Sequence, residues 1–461
     1  MAVATMVLAG WRGPLGHRLK IGLRLPLPGE QRGDVVAAAP AEVPVRIGER
    51  FARFEGAPGT SGGSWPCFRG PLRDNVARDA GRLAETWPAG GPRRLWSVPL
   101  GEGYAGPVIH GGRVYLLDYD GATTADMLRC FSMEDGRELW RRGYGVKVKR
   151  NHGMSRTVPA VTDEYVVTLG PRCHVMCVDA VTGDFRWGLD LATEWGVEEP
   201  MWYAGQCPLI ADGQAVLGVG GTCLMMGVDL ATGKVAWQTP NPRGWKMSHS
   251  SVAPMEFAGR KLYVYAAVGG IVGVSAEGAD RGAPLWETGE WNVPVVAPSP
   301  VPFGEGRFLM TSGYGAGSAM FELAESAGRF SVKRLFPIPK QGFACEQQTP
   351  VFFEGCLYTV MPADAGAARK QVACMDRDGR VLWTSGGADR FGLGPFMIAD
   401  GKLLVLEDNG TLTLARVSAR GYEKLAQAKV LDGKEAWAPM ALADGRLLVR
   451  DYGELRCLDL R

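Results

Sequence analysis

The sequence predicts an all-β protein, an eight-bladed β-propeller of four-stranded antiparallel blades closed by an N-terminal strand. Three observations predict it. A proline set before a short apolar run recurs eight times, at Pro107, Pro159, Pro208, Pro254, Pro300, Pro350, Pro395 and Pro439, at intervals of 44–52 residues. Between most successive prolines stands an aromatic: Trp96, Trp140, Trp187, Trp237, Trp286, Phe336 and Trp383. The 64 glycines and 30 prolines punctuate short apolar runs, as many strands joined by tight turns require. A fixed period of this length marks a repeat architecture with one continuous core. It therefore overrides the rough rule that would divide 461 residues into about three domains.

One period shows the elements in order. In residues 203–239, a first strand runs through Pro208-Leu209-Ile210 and turns at Asp212-Gly213. A second strand, Ala215 to Val219, turns at Gly220-Gly221, and a third runs from Cys223 to Val228. Thr232-Gly233 supplies the positive-φ position of the last turn before a fourth strand holding Val235 and Trp237. The runs lack the i, i+3, i+4, i+7 spacing of a helical repeat. The same reading fits Tyr104–Tyr144, Ser155–Leu191, Ser248–Trp291, Val295–Pro339, Cys345–Gly387 and Phe391–Leu431. Phe336 replaces Trp in the fifth unit and Ala426 in the seventh. The eighth unit, Ala436–Arg461, has only three strands. Its fourth is expected from residues 93–100, which carry Trp96 with no unit in front of them. Such closure pairs an edge that would otherwise stay open.

The domain organisation expected is a flexible leader over residues 1–64 and the propeller over 65–461. The leader is rich in Ala, Gly, Pro and Arg, and its apolar stretch "AVATMVLAG" precedes Arg12, Arg18, Lys20 and Arg24. A secretory signal has the opposite order. No run of about 18 uncharged apolar residues predicts a membrane span; the best candidate, Leu262 to Ala276, is broken by Gly269-Gly270 and reads as two strands. Lys and Arg number 51 against 49 Asp and Glu, giving a net charge of +2 and no field for nucleic acid.

Ten cysteines raise the question of metal or disulfides. Cys130, Cys177, Cys374 and Cys457 fall at one place in the third strand, where Gly227 stands in another blade. A small buried side chain suits that place, so these read as packing. Cys173-x-x-x-Cys177 has no second pair, so no metal site is expected.

"VDAVTGDFRW" (178–187) and "VDLATGKVAW" (228–237) resemble the repeat of pyrroloquinoline-quinone (PQQ) dehydrogenases and of their non-catalytic relatives, which include the lipoprotein that assists outer-membrane β-barrel assembly. "MEDGRELW" (133–140) and "MDRDGRVLW" (375–383) are looser copies. "WPCFRGPLRDNV" (65–76) with "WPAGGPRRLW" (87–96) resembles the N-terminal signature of PQQ-binding-like propeller repeat proteins. The resemblance covers residues 65–461. It implies an eight-bladed propeller girdled by its tryptophans and a setting in the cell envelope or periplasm. For the dehydrogenases it would imply PQQ, Ca²⁺, an Asp base and, in the alcohol enzymes, a disulfide between adjacent cysteines. The chain has no Cys-Cys dipeptide, which disfavours PQQ and Ca²⁺ as cofactors.

Function is expected where the repeat is interrupted. Connections from the outer strand of one blade to the inner strand of the next gather on one face. They place Asn151, His152, Arg156, Trp202, His249, Glu346, Gln347 and Trp437 around the channel mouth. Aromatics with a few polar groups are what a ligand pocket uses, although exposed loops are polar in any propeller. His152, between basic residues in "RNHGMSR", is the first single candidate and His249 the second; His110 and His174 read as turn and strand residues. The leading expectation is a binding or scaffold propeller, presenting its loop face and central channel to a protein or small-molecule ligand. A PQQ/Ca²⁺ oxidoreductase is the alternative, and a hydrolase or lyase using His152 or His249 the second alternative.

Overall fold

The structure, a computed structural model, describes residues 44–149 and 154–461. Eight sheets, each an up-and-down run of four antiparallel strands, form the blades of a ring. The inner strands are short: Val108–His110, Ala160–Val161, Leu209–Ala211, Ala253–Phe257, Val301–Pro302, Val351–Phe353, Phe396–Ala399 and Ala441–Ala443. All but one start just after a recurring proline; Pro254 lies within its strand. Proline lacks an N–H, so the start of an edge strand is where it costs no ladder bond.

The eighth blade consists of Ala441–Ala443, Arg446–Arg450, Glu454–Asp459 and Arg93–Pro99, with Trp96 opposite Cys457. The predicted closing strand is therefore in place. Arg450, fully buried, locks the same seam: its guanidinium donates to the carbonyls of Ala105 (2.9 Å), Leu117 (3.1 Å) and Gly101 (3.2 Å).

Where the fourth strand carries an aromatic, in every blade but the seventh, the ring packs against the next blade. Trp96, Trp140, Trp187 and Trp383 donate Nε1–H to Met133, Val181, Leu230 and Ser418 carbonyls at 2.8–3.1 Å. The turn that receives the ring needs glycine: a Cβ at Gly183 or Gly233 would lie 2.6 Å from Trp140 or Trp187. Blade 5 breaks this pattern. Its outer strands, Gly317–Ser326 and Arg329–Ile338, run ten residues each and carry their turn far out. Trp286 consequently stacks on Phe308 (5.7 Å, 27°), and its Nε1–H has no acceptor among the described residues.

The segment expected to be a flexible leader departs from that reading over its last residues. Arg50–Arg53 adds a fifth strand to the outer edge of blade 1. Gly59 N–H then bonds Gly112 O (2.8 Å) and Gly63 N–H bonds Asp444 Oδ2 (2.8 Å). Alternating exposed Phe51 and half-buried Ala52 fit a β edge, a two-residue period too short to stand out in a Gly- and Pro-rich stretch.

A second correction concerns the central channel. The "WPCFRGPLRDNV" segment runs through it. Trp65 bridges Ile109 of blade 1, and Pro66 O accepts from Val161 N of blade 2 (2.9 Å). Arg73 reaches Ile210 O of blade 3 (2.7 Å), and Val76–Ala77 pairs parallel to Phe396–Ala399 of blade 7. The axis is thus filled by the chain's own residues 65–77, and a loop-face cavity lies against them at Phe68.

Candidate functional site

In an up-and-down blade, the turn between second and third strands lies at the same end as the connection to the next blade. Both therefore build the loop face. Arg156, Trp202, His249, Glu346, Gln347 and Trp437 come together there around a cavity of about 270 Å³, just below the range of about 300–1,000 Å³ usual for small-molecule sites. Asn151 and His152 lie outside the described residues. Phe68, from the axial segment, lines the cavity from below.

Each wall residue is held by its blade. The connection bearing Trp202 begins with a one-turn helix, Leu191–Trp195, capped by Asp190 and ended by Gly196 at φ 65°. Lys246 Nζ braces it through Glu198 (2.6 Å), and Tyr203 OH donates to Lys149 O (2.6 Å). On one side of the cavity Trp202 stacks on Tyr314 (5.9 Å, 28°) and on His249 (6.4 Å, 22°). On the other, Tyr104 packs against Trp437 (5.0 Å) and Tyr452 (5.7 Å). The Arg156 guanidinium lies 5.9 Å from the Tyr104 ring. Trp437 Nε1 and Leu393 N share Asp408 Oδ1 (2.7 and 2.6 Å). Gln347 and Gln348 spend their amides on Leu393 O (2.9 Å) and Trp437 O (3.0 Å). These two glutamines therefore shape the wall.

Trp202 (φ 65°), Tyr203 (φ 72°) and Tyr314 (φ 55°) all occupy the left-handed region, which a bulky residue enters at a cost of about 1–3 kcal/mol. The other non-glycine residues in that region include Asp212, Ala258, Glu305, Glu354, Asp400 and Asp444, each preceding a glycine in a tight turn between first and second strands. Tyr314 precedes Gly315 in the turn between the second and third strands of blade 5, and Trp202 lies in a turn closed by Tyr203 N–H on Pro200 O (2.9 Å), so these turns set the angle at which the two rings meet.

The electrostatics separate three roles. Burial, reinforced by the nearby Arg156 cation, pushes the His249 pKa down to about 4, so the ring is neutral at pH 7. It packs so tightly that a Cβ on Gly205 would lie 2.7 Å from Nδ1. Burial lowers Arg156 to about 10, which leaves it cationic. Burial, then Asp364, raises Glu346. Bonded to Ser155, the residue before Arg156, is a further acid: Asp126, 1 % exposed, accepts from Ser155 Oγ (2.5 Å) and Tyr144 OH (3.3 Å), and burial pushes it up to about 7.

Sequence reasoning missed Tyr104, Tyr314, Phe68 and Asp126. Tyr314 and Asp126 sit at turns between second and third strands, which meet the same face, so the period itself marks those positions. All ten cysteines are buried with free thiols, and among the described residues no three His, Cys, Asp or Glu gather as metal ligands. On the opposite face Ser64 Oγ, His110 Nδ1 (3.0 Å) and, from His110 Nε2, Asp163 Oδ1 (2.8 Å) form a chain. Asp163 is 96 % exposed, so water competes for it, and the chain acts as a staple of the N-terminal segment onto blades 1 and 2.

Residues 124–289 match the family model described as outer membrane protein assembly factor BamB. The whole ring is similar to solved propellers. BamB from Moraxella catarrhalis superposes at a TM-score of 0.55 and 14 % identity, covering 80 % of this chain and 99 % of that one. Quinohemoprotein alcohol dehydrogenase from Comamonas testosteroni gives 0.59 and 13 %, covering 86 % and 80 %. The computationally designed Ika8 protein gives 0.55 and 12 %, covering 80 % and 99 %. No curated protein sequence matches. The similarity to the assembly-factor family is confined to residues 124–289, and the solved structures share the β-propeller fold. An equal likeness to an assembly factor, a dehydrogenase and a designed protein is a likeness of fold, so function rests on the site.

Proposed function

We propose that the chain is a ligand-binding propeller whose loop-face cavity takes a small planar molecule carrying an anionic group. The observation that carries this reading is the Trp202–Tyr314 stack on the wall of a cavity that Arg156, still charged, also lines. Flat aromatic walls favour a planar body, and a part-desolvated guanidinium favours an anion. PQQ is one such molecule, and Arg156, Trp202 and Tyr314 fit its shape and charge. A Ca²⁺ partner does not fit: among the described residues the lining contributes one carboxylate, Glu346. We therefore derive no redox step. His249 is neutral and packed against Gly205, which suits it to shaping the wall rather than to proton transfer. The exposed Met201 and Tyr314, 62 % and 58 %, favour a protein partner on the same rim as a second reading. The likeness to BamB supports a cell-envelope setting, which fractionation of the source cells tests.

The ligand test is a tryptophan-fluorescence titration of the full chain with naphthalene-2-carboxylate and with PQQ, each with and without Ca²⁺. Saturable one-site quenching that ignores Ca²⁺ is expected, with no dye reduction in the presence of alcohols or sugars. Arg156→Gln should weaken binding about tenfold or more, the worth of about 1.4 kcal/mol. Absence of quenching, or Ca²⁺-dependent turnover, overturns the reading.

A further inference from the structure

The axial segment is built in two parts. Its flanks are welded into the core: Trp65, Val76 and Ala77 are 2 %, 4 % and 5 % exposed. The stretch between them, residues 67–75, carries a set of bonds of its own. Gly70 N–H donates to Cys67 O (3.0 Å), Arg73 N–H to Gly70 O (3.0 Å) and Asn75 N–H to Arg69 O (2.9 Å). Arg69 adds bonds to its own loop at Arg73 O (2.9 Å) and Asp74 O (3.2 Å). A compact loop closed on itself this way moves as a unit.

It is held to the ring by the packing of Phe68 against the core, by Ile398 N–H on Asn75 O (3.1 Å) and by four side-chain hydrogen bonds. Arg69 reaches Thr349 O (2.8 Å) and Pro350 O (3.0 Å) of blade 6, Arg73 reaches Ile210 O (2.7 Å), and Asn75 reaches Phe396 O. Voids of about 10 and 20 Å³ flank Phe68 and Arg69, and Leu72 is 62 % exposed. Arg69 and Arg73 are held at φ 67° and 57° by the loop's own turns, a geometry the loop keeps as it moves. Burial of the Arg69 cation among neutral carbonyls also lowers its pKa to about 10.

We propose that residues 67–75 are a gate, which undocks as a unit from an intact ring and joins the loop-face cavity to the opposite face of the propeller. Phe68, lining the cavity from below, is the stopper and Arg69 the latch. The inference concerns access to the cavity and does not depend on which ligand occupies it.

Cysteines report the motion. Cys67 lies in the gate, with Sγ on Gly70 O (3.1 Å), and Cys207 lines the cavity beside it. Cys130, Cys177 and Cys457 lie inside blades at 0 % exposure. Native full-length protein is treated with N-ethylmaleimide and the labelled sites are followed by peptide mass spectrometry. Cys67 is expected to react about tenfold or more faster than Cys130, Cys177 and Cys457, with Cys207 second, as local opening outpaces global unfolding. Arg69→Met should speed Cys67 and Cys207 by about another tenfold, from the loss of two bonds to blade 6, and leave the blade cysteines unchanged. Arg73→Met provides the second variant should Arg69→Met not fold. A Cys67 no faster than Cys130 overturns the gate, and so does a fast Cys67 that ignores the latch substitutions.

Discussion

At the residue scale, the cysteines are explained by what stands across the strand. Cys130, Cys177, Cys374 and Cys457 pair directly with Trp140, Trp187, Trp383 and Trp96. Gly227 and Gly273 take that place opposite Trp237 and Trp286. Where the aromatic shrinks to Phe336 or Ala426, the partner grows to Met320 or Leu414. The pair conserves volume, which interior packing demands. His249 and Asp126 make a second residue-scale prediction. His249 titrates near 4 when folded against 6.5 unfolded, so its contribution is full above pH 6.5 and is lost as pH falls toward 4. Asp126 titrates near 7 against 3.8, so its contribution is full below pH 3.8 and is lost as pH rises toward 7. Each shift amounts to about 3–4 kcal/mol, and between pH 4 and 6.5 the two oppose each other. Relative to the native protein, Asp126→Asn should therefore gain stability from pH 4.5 to 6.5, and His249→Gln should lose it. Urea unfolding at the two pH values checks both slopes; parallel curves for all three proteins would refute the assignment.

At the scale of the element, the blade is a hairpin pair with an indole lid. In every blade a register shift on the third or fourth strand adjoins the aromatic position, as between Cys177 and Val178. This bulge turns the ring toward the neighbouring blade. Trp187 and Trp286 then differ in a measurable way. Trp187 donates to Leu230 O at 2.8 Å, whereas Trp286 Nε1 has no acceptor among the described residues. Replacing each by Phe removes a similar volume, but only Trp187→Phe removes a hydrogen bond and orphans a carbonyl. Trp187→Phe should cost about 1 kcal/mol more than Trp286→Phe, read as the difference in urea midpoints; equal costs would refute the hydrogen-bond account. The strand periods made each blade legible, yet blade 5's ten-residue hairpin was not, because its polar outer strands carry no turn signal of their own beyond Gly328.

At the scale of the molecule, stability depends on closing a ring. Residues 93–99 complete blade 8, Arg450 ties blade 8 to blade 1, and residues 65–77 thread the axis. A chain starting at residue 100 leaves the strand Glu454–Asp459 unpaired on its outer side and should lose cooperative unfolding. A chain starting at residue 45 keeps every one of these contacts and should unfold in one transition. Calorimetry distinguishes them, and a cooperative peak from the shorter chain would show that the closing strand is dispensable.

By itself, the sequence determined the blade count, the closing strand at Trp96, the small partners of the tryptophans and the loops that carry Arg156, Trp202, His249, Glu346, Gln347 and Trp437. These are consequences of local periods and turn chemistry, which recur and so can be read in one dimension. Tertiary structure alone decided that residues 65–77 fill the axis, that Tyr314 stacks on Trp202, and that Asp126 lies buried on Ser155 and Tyr144. Those contacts join residues tens to hundreds of positions apart in places where the repeat is silent. Only closure of the ring, which brings all eight loop ends and the N-terminal segment to one axis, makes them neighbours.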